Sequence, residues 1–514
     1  KGVSIMLIKK TINKQQIYNK VKKYNIYIAY LEKILSLLYW DDRVTMPKLA
    51  NEYRGKQIAI LTEYIHKLKT SKKYKNLINL LDENDYEKYS EEWVNIKWWK
   101  YSYERSSKIP PKLMSKLSNL IPISINRWEK AKEHKPTSLK DPYLKEYMNY
   151  LEKIIEINKE FISLWGYKSE PYQALLENYE YSFIPSEIES IFNNLLIKTK
   201  ELIKKYYDKS QKAKDILKGD FDIKKQEEFC KFLVKSIGFT EDFSRLDPTS
   251  HPFATSISPK DIRITTKYVQ NDIGNSIFGT LHELGHAIYD YNLPEEHFGQ
   301  PKGDAISLSV HESQSRFWEN IIGRSISFWN YFYPHLSIYF DIFKNYDITD
   351  FVKAANKIDL QPIRIESDEL TYNLHIILRF NIERKIFNEN LKVKEIPELW
   401  NDLFYKYFDY KLSNYSEGFL QDVHWAESLF GYFPTYTLGN IIAAQIYYKI
   451  KSELNLNELI SKGDFSKIIE YLKENIHKHG MTYTTKELIQ KITNNNIDSN
   501  YLYNYFEEKY SILF

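Results

Sequence analysis

Glycine and proline are scarce in this chain, with 16 glycines and 17 prolines in 514 residues. An all-β protein needs a turn about every 8 to 12 residues and relies on these two residue types for many of its turns. The shortage therefore favours long helices joined by few loops. Apolar residues also recur at every third or fourth position in many stretches, which is the spacing of one face of an α-helix. We predict a mostly α fold.

Three stretches show this helical period clearly. One covers residues 17–38, and another covers residues 144–155. The third follows Pro185, where Ser186 and Glu189 match the capping box that opens many helices. Each stretch is predicted to form a helix with one face in the core.

One segment has the alternating period of a β-strand instead. Residues 262–268 alternate in polarity and follow residues 253–258 after the turn-forming Pro259-Lys260-Asp261. We predict a small β-hairpin or sheet here. No repeat or Gly/Ser linker marks a domain boundary. We therefore expect one two-lobed helical domain over residues 6–514, with residues 1–5 a processing or cloning remnant.

Charge and cysteine content exclude several classes of protein. The 72 basic residues nearly balance the 68 acidic ones and are interleaved with them, which leaves no basic surface for nucleic acid. No window approaches the roughly 20 apolar residues that span a bilayer. The single cysteine, Cys230, cannot form an internal disulfide, which fits a reducing compartment. We expect a cytoplasmic protein without nucleic-acid or membrane partners.

The segment His282-Glu283-Leu284-Gly285-His286 carries the strongest chemical signal. If it is helical, the two histidines project from one face, a turn apart, and can bind one metal ion. A catalytic zinc site takes three protein ligands and keeps one position for water. Glu283 stands beside the first histidine, where it can accept a proton from a water molecule. The segment therefore predicts a metal site with Glu283 as general base.

The third metal ligand must come from elsewhere in the chain. The positions that would carry a metzincin's additional glycine and histidine hold other residues, which excludes that class. Glu312 is our candidate, since it lies 26 residues after His286, a gap that suits a turn and a return onto a second helix. Spacing alone leaves Glu319, Glu295 and Glu296 as alternatives.

These motifs resemble those of the carboxypeptidase Taq family of metallocarboxypeptidases. The pair formed by His282-Glu283-x-x-His286 and His311-Glu312-Ser313-Gln314 carries the resemblance. Further family-like motifs stand in order along nearly the whole chain: Trp40-Asp41 with Met46-Pro47, His251-Pro252-Phe253, Asp261-x-Arg263-x-Thr265, Ile363-Arg364-Ile365-Glu366-Ser367-Asp368-Glu369, Gly418-x-x-Gln421-Asp422-x-His424-Trp425 and Gly431-Tyr432-Phe433-Pro434-Thr435-Tyr436.

The resemblance implies a helical fold with a deep groove, a homodimer, and removal of single C-terminal residues from peptides with broad specificity. It also implies metal ligation by His282, His286 and Glu312, with Glu283 as the base. Such a site would hold one divalent metal ion per chain. Zinc is our first expectation, and cobalt or manganese also suit two histidines and one glutamate.

Four further residues are candidates for handling the peptide. A tetrahedral oxyanion needs hydrogen-bond donors, and His424 and Tyr436 in the late motifs can supply them. A free C-terminal carboxylate is matched best by a guanidinium group. Arg364 is our first choice for this role and Arg263 the second. Each residue also has a plain structural alternative: a buried histidine, a packed aromatic ring or an ion pair.

Two other functions remain open at this point. The chain could be a helical metallo-oligopeptidase that cuts internally, or a dipeptidyl carboxypeptidase that releases dipeptides. It could also be a catalytically inactive helical scaffold that keeps the motif. The presence of both Glu283 and Glu312 argues against the scaffold, because an inactive site has no need for its base.

Overall fold

Helices dominate the structure and confirm the prediction of a mostly α fold. The computed structural model describes residues 2–514, with side chains from residue 14 onwards. Lys1 lies outside the described residues, so the remnant at residues 1–5 stays a prediction. Within the described part of the chain, no helix combines the length and the apolar character needed to cross a bilayer.

Residues 2–514 form the following α-helices and β-strands, in chain order. The first half contains α1 (Gly2–Val44), α2 (Asn51–Lys69), α3 (Lys72–Ile78), α4 (Glu91–Lys108), α5 (Pro111–His134), α6 (Pro142–Trp165), α7 (Pro171–Leu176), α8 (Pro185–Ser210), α9 (Ile223–Ser236), β1 (Ser244–Pro248), β2 (Ala254–Ser258) and β3 (Asp261–Thr266). The second half contains α10 (Ile273–Tyr291), α11 (Leu308–Arg316), α12 (Ile326–Tyr339), α13 (Ile348–Ala355), α14 (Tyr372–Asn388), α15 (Ile396–Phe408), α16 (Pro434–Glu453), α17 (Leu456–Ser461), α18 (Ser466–Asn475), α19 (Thr485–Thr493) and α20 (Asn500–Leu513).

The chain folds into two compact units, each assembled from three segments. Unit 1 comprises Lys1–Ser107, Leu217–Ile348 and Lys449–Leu488. Unit 2 comprises Lys108–Ile216, Thr349–Tyr448 and Ile489–Phe514. Because the chain passes repeatedly from one unit to the other, no single linker separates them, which explains why composition marks no boundary.

Unit 1 contains a three-stranded sheet in the order β1, β3, β2. Strand β2 pairs antiparallel with β3, which confirms the predicted hairpin. Strand β1 pairs with the other edge of β3 in parallel orientation. This strand was not predicted, because its sequence, Ser-Arg-Leu-Asp-Pro, lacks an alternating apolar pattern. Ile262 and Ile264 of β3 are fully buried, and β3 packs against α10.

Helix α10 is the central helix of unit 1. Asp272 caps its N-terminus by accepting a hydrogen bond from the backbone amide of Asn275 at 3.3 Å. Ile277, Leu281 and Leu284 are fully buried along its inner face. The helix is therefore fixed by packing along its length, which favours a precise position for any polar side chain that it carries.

The helices predicted from residues 17–38 and 144–155 are present as parts of α1 and α6. The capping prediction for α8 was wrong in detail. Ile184, not Ser186, is the N-cap, and Pro185 occupies the first helical position. The carboxylate of Glu187 accepts a hydrogen bond from the Ile184 amide at 3.2 Å. Proline is favoured at the first helical position because it lacks the amide hydrogen that would be unpaired there.

In unit 2, helix α14 holds the loop that connects α15 with α16. Glu383 of α14 accepts hydrogen bonds from Trp425 Nε1 at 2.7 Å and from the Gly431 amide at 3.0 Å. Arg379, one turn earlier, donates to Asp422 at 2.7 Å. All these groups are buried or nearly so, and their pairing satisfies polar atoms that would otherwise destabilise the core.

Candidate active site

Helices α10 and α11 bring three potential metal ligands together in unit 1. His282 and His286 lie one turn apart on α10, and Glu312 lies on α11. Glu312 Oε2 lies 3.7 Å from Nε2 of His282 and 3.5 Å from Nε2 of His286. The three ligand atoms lie within 4.8 Å of one another. The structure therefore brings together the residues that the sequence predicted as ligands.

The spacing and chemistry of this group fit a divalent metal ion. Ligand atoms at about 2.0–2.2 Å around a tetrahedral centre lie roughly 3.3–3.6 Å apart. The separations from Glu312 Oε2 are close to that range. Two imidazoles and one carboxylate are also a donor set suited to zinc and its neighbours. These three residues could hold such an ion with small side-chain adjustments.

Arg316 orients the carboxylate of Glu312. Its Nε donates to Glu312 Oε1 at 2.7 Å, which leaves Oε2 directed at the two histidines. Ser315 Oγ donates to Oε2 at 3.1 Å. Burial alone would raise the pKa of Glu312, but the positive charge of Arg316 holds it well below its usual range. The carboxylate is therefore ionised, as a metal ligand must be.

Glu319 fixes the orientation of His282. His282 Nδ1 donates to Glu319 Oε2 at 2.8 Å, so Nε2 faces Glu312 and carries the lone pair whenever the ring is neutral. Burial lowers the pKa of His282, yet the charges of Glu312 and Glu319 outweigh it and raise the pKa to about 9. The two carboxylates beside the His282 imidazole thus favour a positive charge at this position.

His286 is oriented through a second histidine. Its Nδ1 lies 2.6 Å from His311 Nδ1, and His311 Nε2 lies 2.9 Å from Asp290 Oδ1. With Nε2 of His286 facing Glu312, its Nδ1–H donates to His311, and the Nε2–H of His311 donates to Asp290. Burial and the nearby His311 lower the pKa of His286 to about 4, which favours a neutral imidazole.

Glu283 has the position expected of a base. It lies between the two histidines in sequence and is 6% exposed. Burial raises its pKa to about 7. Among residues 14–514 no side chain forms a hydrogen bond or salt bridge with its carboxylate, which leaves both oxygens able to accept a proton.

Gly285 permits the close crossing that brings Glu312 to the histidines. A Cβ at this position would lie 2.5 Å from the backbone oxygen of Gln314 and 2.6 Å from the Cα of Ser315. We predict that Gly285→Ala forces α10 and α11 apart, costs about 1–3 kcal/mol or more of stability, and weakens metal binding.

Gly279 on the same helix provides the control for this substitution. A Cβ there would meet only Thr266 Oγ1, at 3.5 Å. Gly279→Ala should therefore be neutral or should stabilise the helix by about 0.5–1 kcal/mol. Thermal unfolding and metal titration of both variants check the prediction, and equal behaviour of the two would contradict it.

We also predict that Glu319→Gln weakens metal binding by about 10- to 100-fold, because the amide holds the His282 ring less firmly than a carboxylate does. Competition with a chromogenic chelator measures the affinity. Glu241→Gln, at an exposed position of the same unit, is the control and should leave the affinity unchanged. Unaltered affinity in Glu319→Gln would show that this hydrogen bond does not support the site.

A second group of predicted residues lies in unit 2. Arg364 Nη2 donates to Asp422 Oδ1 at 2.6 Å, and its Nη1 donates to the Tyr372 hydroxyl at 2.6 Å. Arg379 binds the other oxygen of Asp422, so one carboxylate is shared by two guanidinium groups. Burial raises the pKa of Asp422, but Arg364 and Arg379 hold it well below its usual range. Arg364 is therefore held firmly in place.

His424 and Tyr436 belong to the same group. His424 Nε2 lies 3.2 Å from the Tyr436 hydroxyl, and the Arg364 guanidinium lies 5.1 Å from the centre of the Tyr436 ring. Burial lowers the pKa of His424 to about 3, so the ring is neutral at physiological pH. The structure thus brings together three of the four residues predicted to handle the peptide.

Arg263, the fourth, lies in unit 1 in a different environment. On β3, it forms a bidentate pair with Asp261, at 2.9 Å and 2.8 Å. Its guanidinium also lies 4.3 Å from the centre of the Trp40 ring. These contacts favour the ion-pair alternative that the sequence left open.

Sequence reasoning missed the roles of the supporting residues. Glu319 was an alternative third ligand, and it binds Nδ1 of His282. Asp290, one turn after His286 on α10, contacts His311. Arg316 was not considered, although its spacing of four residues from Glu312 is the ordinary signal of a helical ion pair.

Comparison with known proteins agrees with this site. The family model described as carboxypeptidase Taq (M32) metallopeptidase matches residues 20–510. The chain is 34% identical over 510 residues to thermostable carboxypeptidase 1 of Thermus thermophilus, covering 97% of this chain and 99% of that protein. It is 36% identical over 491 residues to carboxypeptidase 1 of Bacillus subtilis, covering 95% and 96%.

A solved structure shows the same fold. The carboxypeptidase of Pyrococcus furiosus superimposes with a TM-score of 0.91 at 33% identity, covering 96% of this chain and 99% of that one. A metallopeptidase family implies a divalent metal ion, and the group formed by His282, His286 and Glu312 could bind it. The chain therefore belongs to the carboxypeptidase Taq family of metallopeptidases and is a metal-dependent carboxypeptidase.

Proposed function

We propose that this carboxypeptidase releases single C-terminal residues from peptides, with broad specificity, and that Glu283 is the general base. The observation that carries the proposal is the juxtaposition of the three-residue ligand group with a buried carboxylate free of partners among the described side chains. Peptides are the substrates of the family.

His282, His286 and Glu312 would hold the metal ion, and zinc is the ion that we propose. Bound there, the ion would lower the pKa of a coordinated water and polarise a peptide carbonyl. Glu319 and His311 keep both imidazoles in the ligating tautomer, and Arg316 keeps one oxygen of Glu312 directed at them. The donor set supports zinc, and cobalt or manganese would also suit it.

Glu283 would accept the proton of the attacking water and pass it to the leaving amine. Its carboxylate has no hydrogen bond to a described side chain that would compete for this proton, and its burial strengthens electrostatic interactions with the reacting groups. General-base catalysis of this kind typically contributes about 10²- to 10⁴-fold in rate.

The group in unit 2 would act on the peptide. We propose that Arg364 binds the terminal carboxylate, supported by the anchoring of its guanidinium on Asp422 and Tyr372. His424 and Tyr436 would donate hydrogen bonds to the oxyanion, which neutral imidazole and phenol groups can do. Arg263 remains the second choice for the carboxylate, although its pairing with Asp261 supports a structural role.

We further propose a cytoplasmic homodimer in which residues 6–514 form one peptidase domain. The resemblance to the family supports the homodimer, and the family match from residue 20 to residue 510 supports the single domain. The buried, unpaired Cys230 supports a reducing compartment. Size-exclusion chromatography with light scattering tests the assembly.

Metal quantification combined with timed digestion of a peptide tests the function. The purified protein should contain about one zinc ion per chain, and mass spectrometry should show stepwise loss of single C-terminal residues that a chelator stops. A matched peptide with an amidated C-terminus is the control and should be cleaved poorly. Loss of residues in pairs, or internal cleavage of both peptides, would contradict the proposal.

A further inference from the structure

A cavity of about 460 Å³ lies within unit 1. Its walls come from α1, the end of α2, α3, α4, the C-terminal end of α10, the segment of residues 293–305 and the β2–β3 hairpin. Asp290 lines it, whereas the ligand group of the candidate metal centre does not. Its volume falls within the range of about 300–1,000 Å³ that is usual for small-molecule sites.

Two charged groups of opposite sign face this cavity without an oppositely charged partner. Lys33 donates one hydrogen bond, to the backbone oxygen of Ser256 at 2.8 Å. No carboxylate among the described side chains lies within 4.0 Å of its ammonium group, which retains two further donors. Asp304 forms neither a side-chain hydrogen bond nor a salt bridge within residues 14–514.

The other charges around the cavity are already paired. Glu32 forms a salt bridge with Lys69, and Glu295 pairs with Lys260 at 2.7 Å. Asp290 pairs with His311 at 2.9 Å. Lys33 and Asp304 are therefore the charges that remain for a ligand among the described residues lining the cavity.

Lys33 and Asp304 influence each other without touching. Asp304 is exposed at the cavity, and the positive charge of Lys33 acts on its carboxylate and favours the ionised form. No salt bridge joins them, so their charged atoms lie more than 4.0 Å apart. A small molecule with both charges could bind between them and make a charge-assisted hydrogen bond to each.

Aromatic rings contribute to the apolar lining of the cavity. Tyr74, Trp98 and Trp99 line it and are 5%, 7% and 4% exposed. Trp99 Nε1 is buried and has no hydrogen-bond partner among the described residues. Burial of a large apolar group against these rings would add to the affinity of a ligand held at its polar end.

We propose that this cavity binds one free α-amino acid with a large apolar side chain, its carboxylate on Lys33 and its ammonium group on Asp304. Such amino acids are among the products that a carboxypeptidase releases. Recognition itself depends on unit 1 groups outside the catalytic set, so the site does not require the roles proposed for Glu283 or Arg364.

Calorimetric titration of the full-length, metal-loaded protein with L-phenylalanine tests the proposal. We expect saturable binding, and we expect Lys33→Met and Asp304→Asn each to weaken it about tenfold or more. The controls Lys23→Met and Asp42→Asn alter exposed charges on α1 and should leave the affinity unchanged. No saturable binding up to about 10 mM would overturn the proposal, since millimolar affinity would be detected there.

Two analogues test the chemistry of recognition. N-acetyl-L-phenylalanine lacks the ammonium group and L-phenylalaninamide lacks the carboxylate, and each should bind the unaltered protein about tenfold more weakly or worse. Equal affinity for either analogue would overturn the two-charge site. Because Lys33 also holds Ser256, thermal unfolding should confirm that Lys33→Met is folded, and Asp304→Asn supplies an independent test.

Two variants of the active site test whether the amino acid binds there and not in the cavity. Binding of L-phenylalanine should persist in Glu283→Gln and in Arg364→Lys, whatever their turnover. Loss of binding in Arg364→Lys, with retention in Lys33→Met, would place the amino acid at the active site and overturn the proposal. Full turnover in Glu283→Gln would remove the proposed base and would leave the cavity site standing.

Discussion

Replacing Glu283 with glutamine is expected to lower kcat by about 10²- to 10⁴-fold while leaving the metal content unchanged. Glutamine keeps the shape of the side chain but cannot accept the proton of the attacking water. Metal binding should persist, because Glu283 is not part of the ligand group. Initial rates on a free peptide, together with metal quantification of the same preparation, measure both quantities.

Glu296→Gln is the matched control, since this exposed glutamate lies in unit 1 away from the ligand group. It should retain full turnover. Glu283→Gln protein that is metal-replete and fully active would remove the general-base assignment. Loss of the metal ion from this variant would instead show that Glu283 helps to hold the site.

Replacing Arg364 with lysine should change the preference for free over amidated C-termini. Lysine keeps the positive charge but cannot form the two parallel hydrogen bonds of a guanidinium. We expect kcat/KM for a free peptide to fall on the order of 10²-fold, consistent with losing part of a buried charged pair, and kcat/KM for the amidated peptide to change little. Parallel assays on the two peptides measure this preference.

Arg384→Lys is the matched control. Arg384 is also a paired arginine of unit 2, with Glu170 at 2.8 Å, and no catalytic role is proposed for it. This variant should lose some stability and keep its preference for a free C-terminus. Equal losses on both peptides in Arg364→Lys would assign carboxylate recognition to another residue, and Arg263 would then be tested in the same way.

Much of the secondary structure was predictable, because local patterns specify it. Periodic apolar residues indicated α1 and α6, and alternation indicated the β2–β3 hairpin. Strand β1 escaped prediction because it is held by pairing with β3 and not by its own pattern. The N-cap of α8 was misplaced by two residues, since Pro185 can itself open a helix.

The ligand residues were partly predictable. Two histidines four apart on one helix must share a face, so His282 and His286 followed from spacing alone. Spacing made Glu312 the first candidate for the third ligand but left Glu319 and two further glutamates as alternatives, because the third ligand depends on how a second helix crosses the first. The resemblance to the family selected Glu312, and the close crossing at Gly285 explains why its carboxylate can reach the histidines.

The sequence by itself determined the helical class, the histidine pair and its neighbouring base, since all three depend on residues close together in the chain. Tertiary structure decided which carboxylate joins the histidines, which one orients His282, and that Lys33 and Asp304 share a cavity. These contacts join residues that are distant in the chain, and only packing of the helices determines which side chains meet.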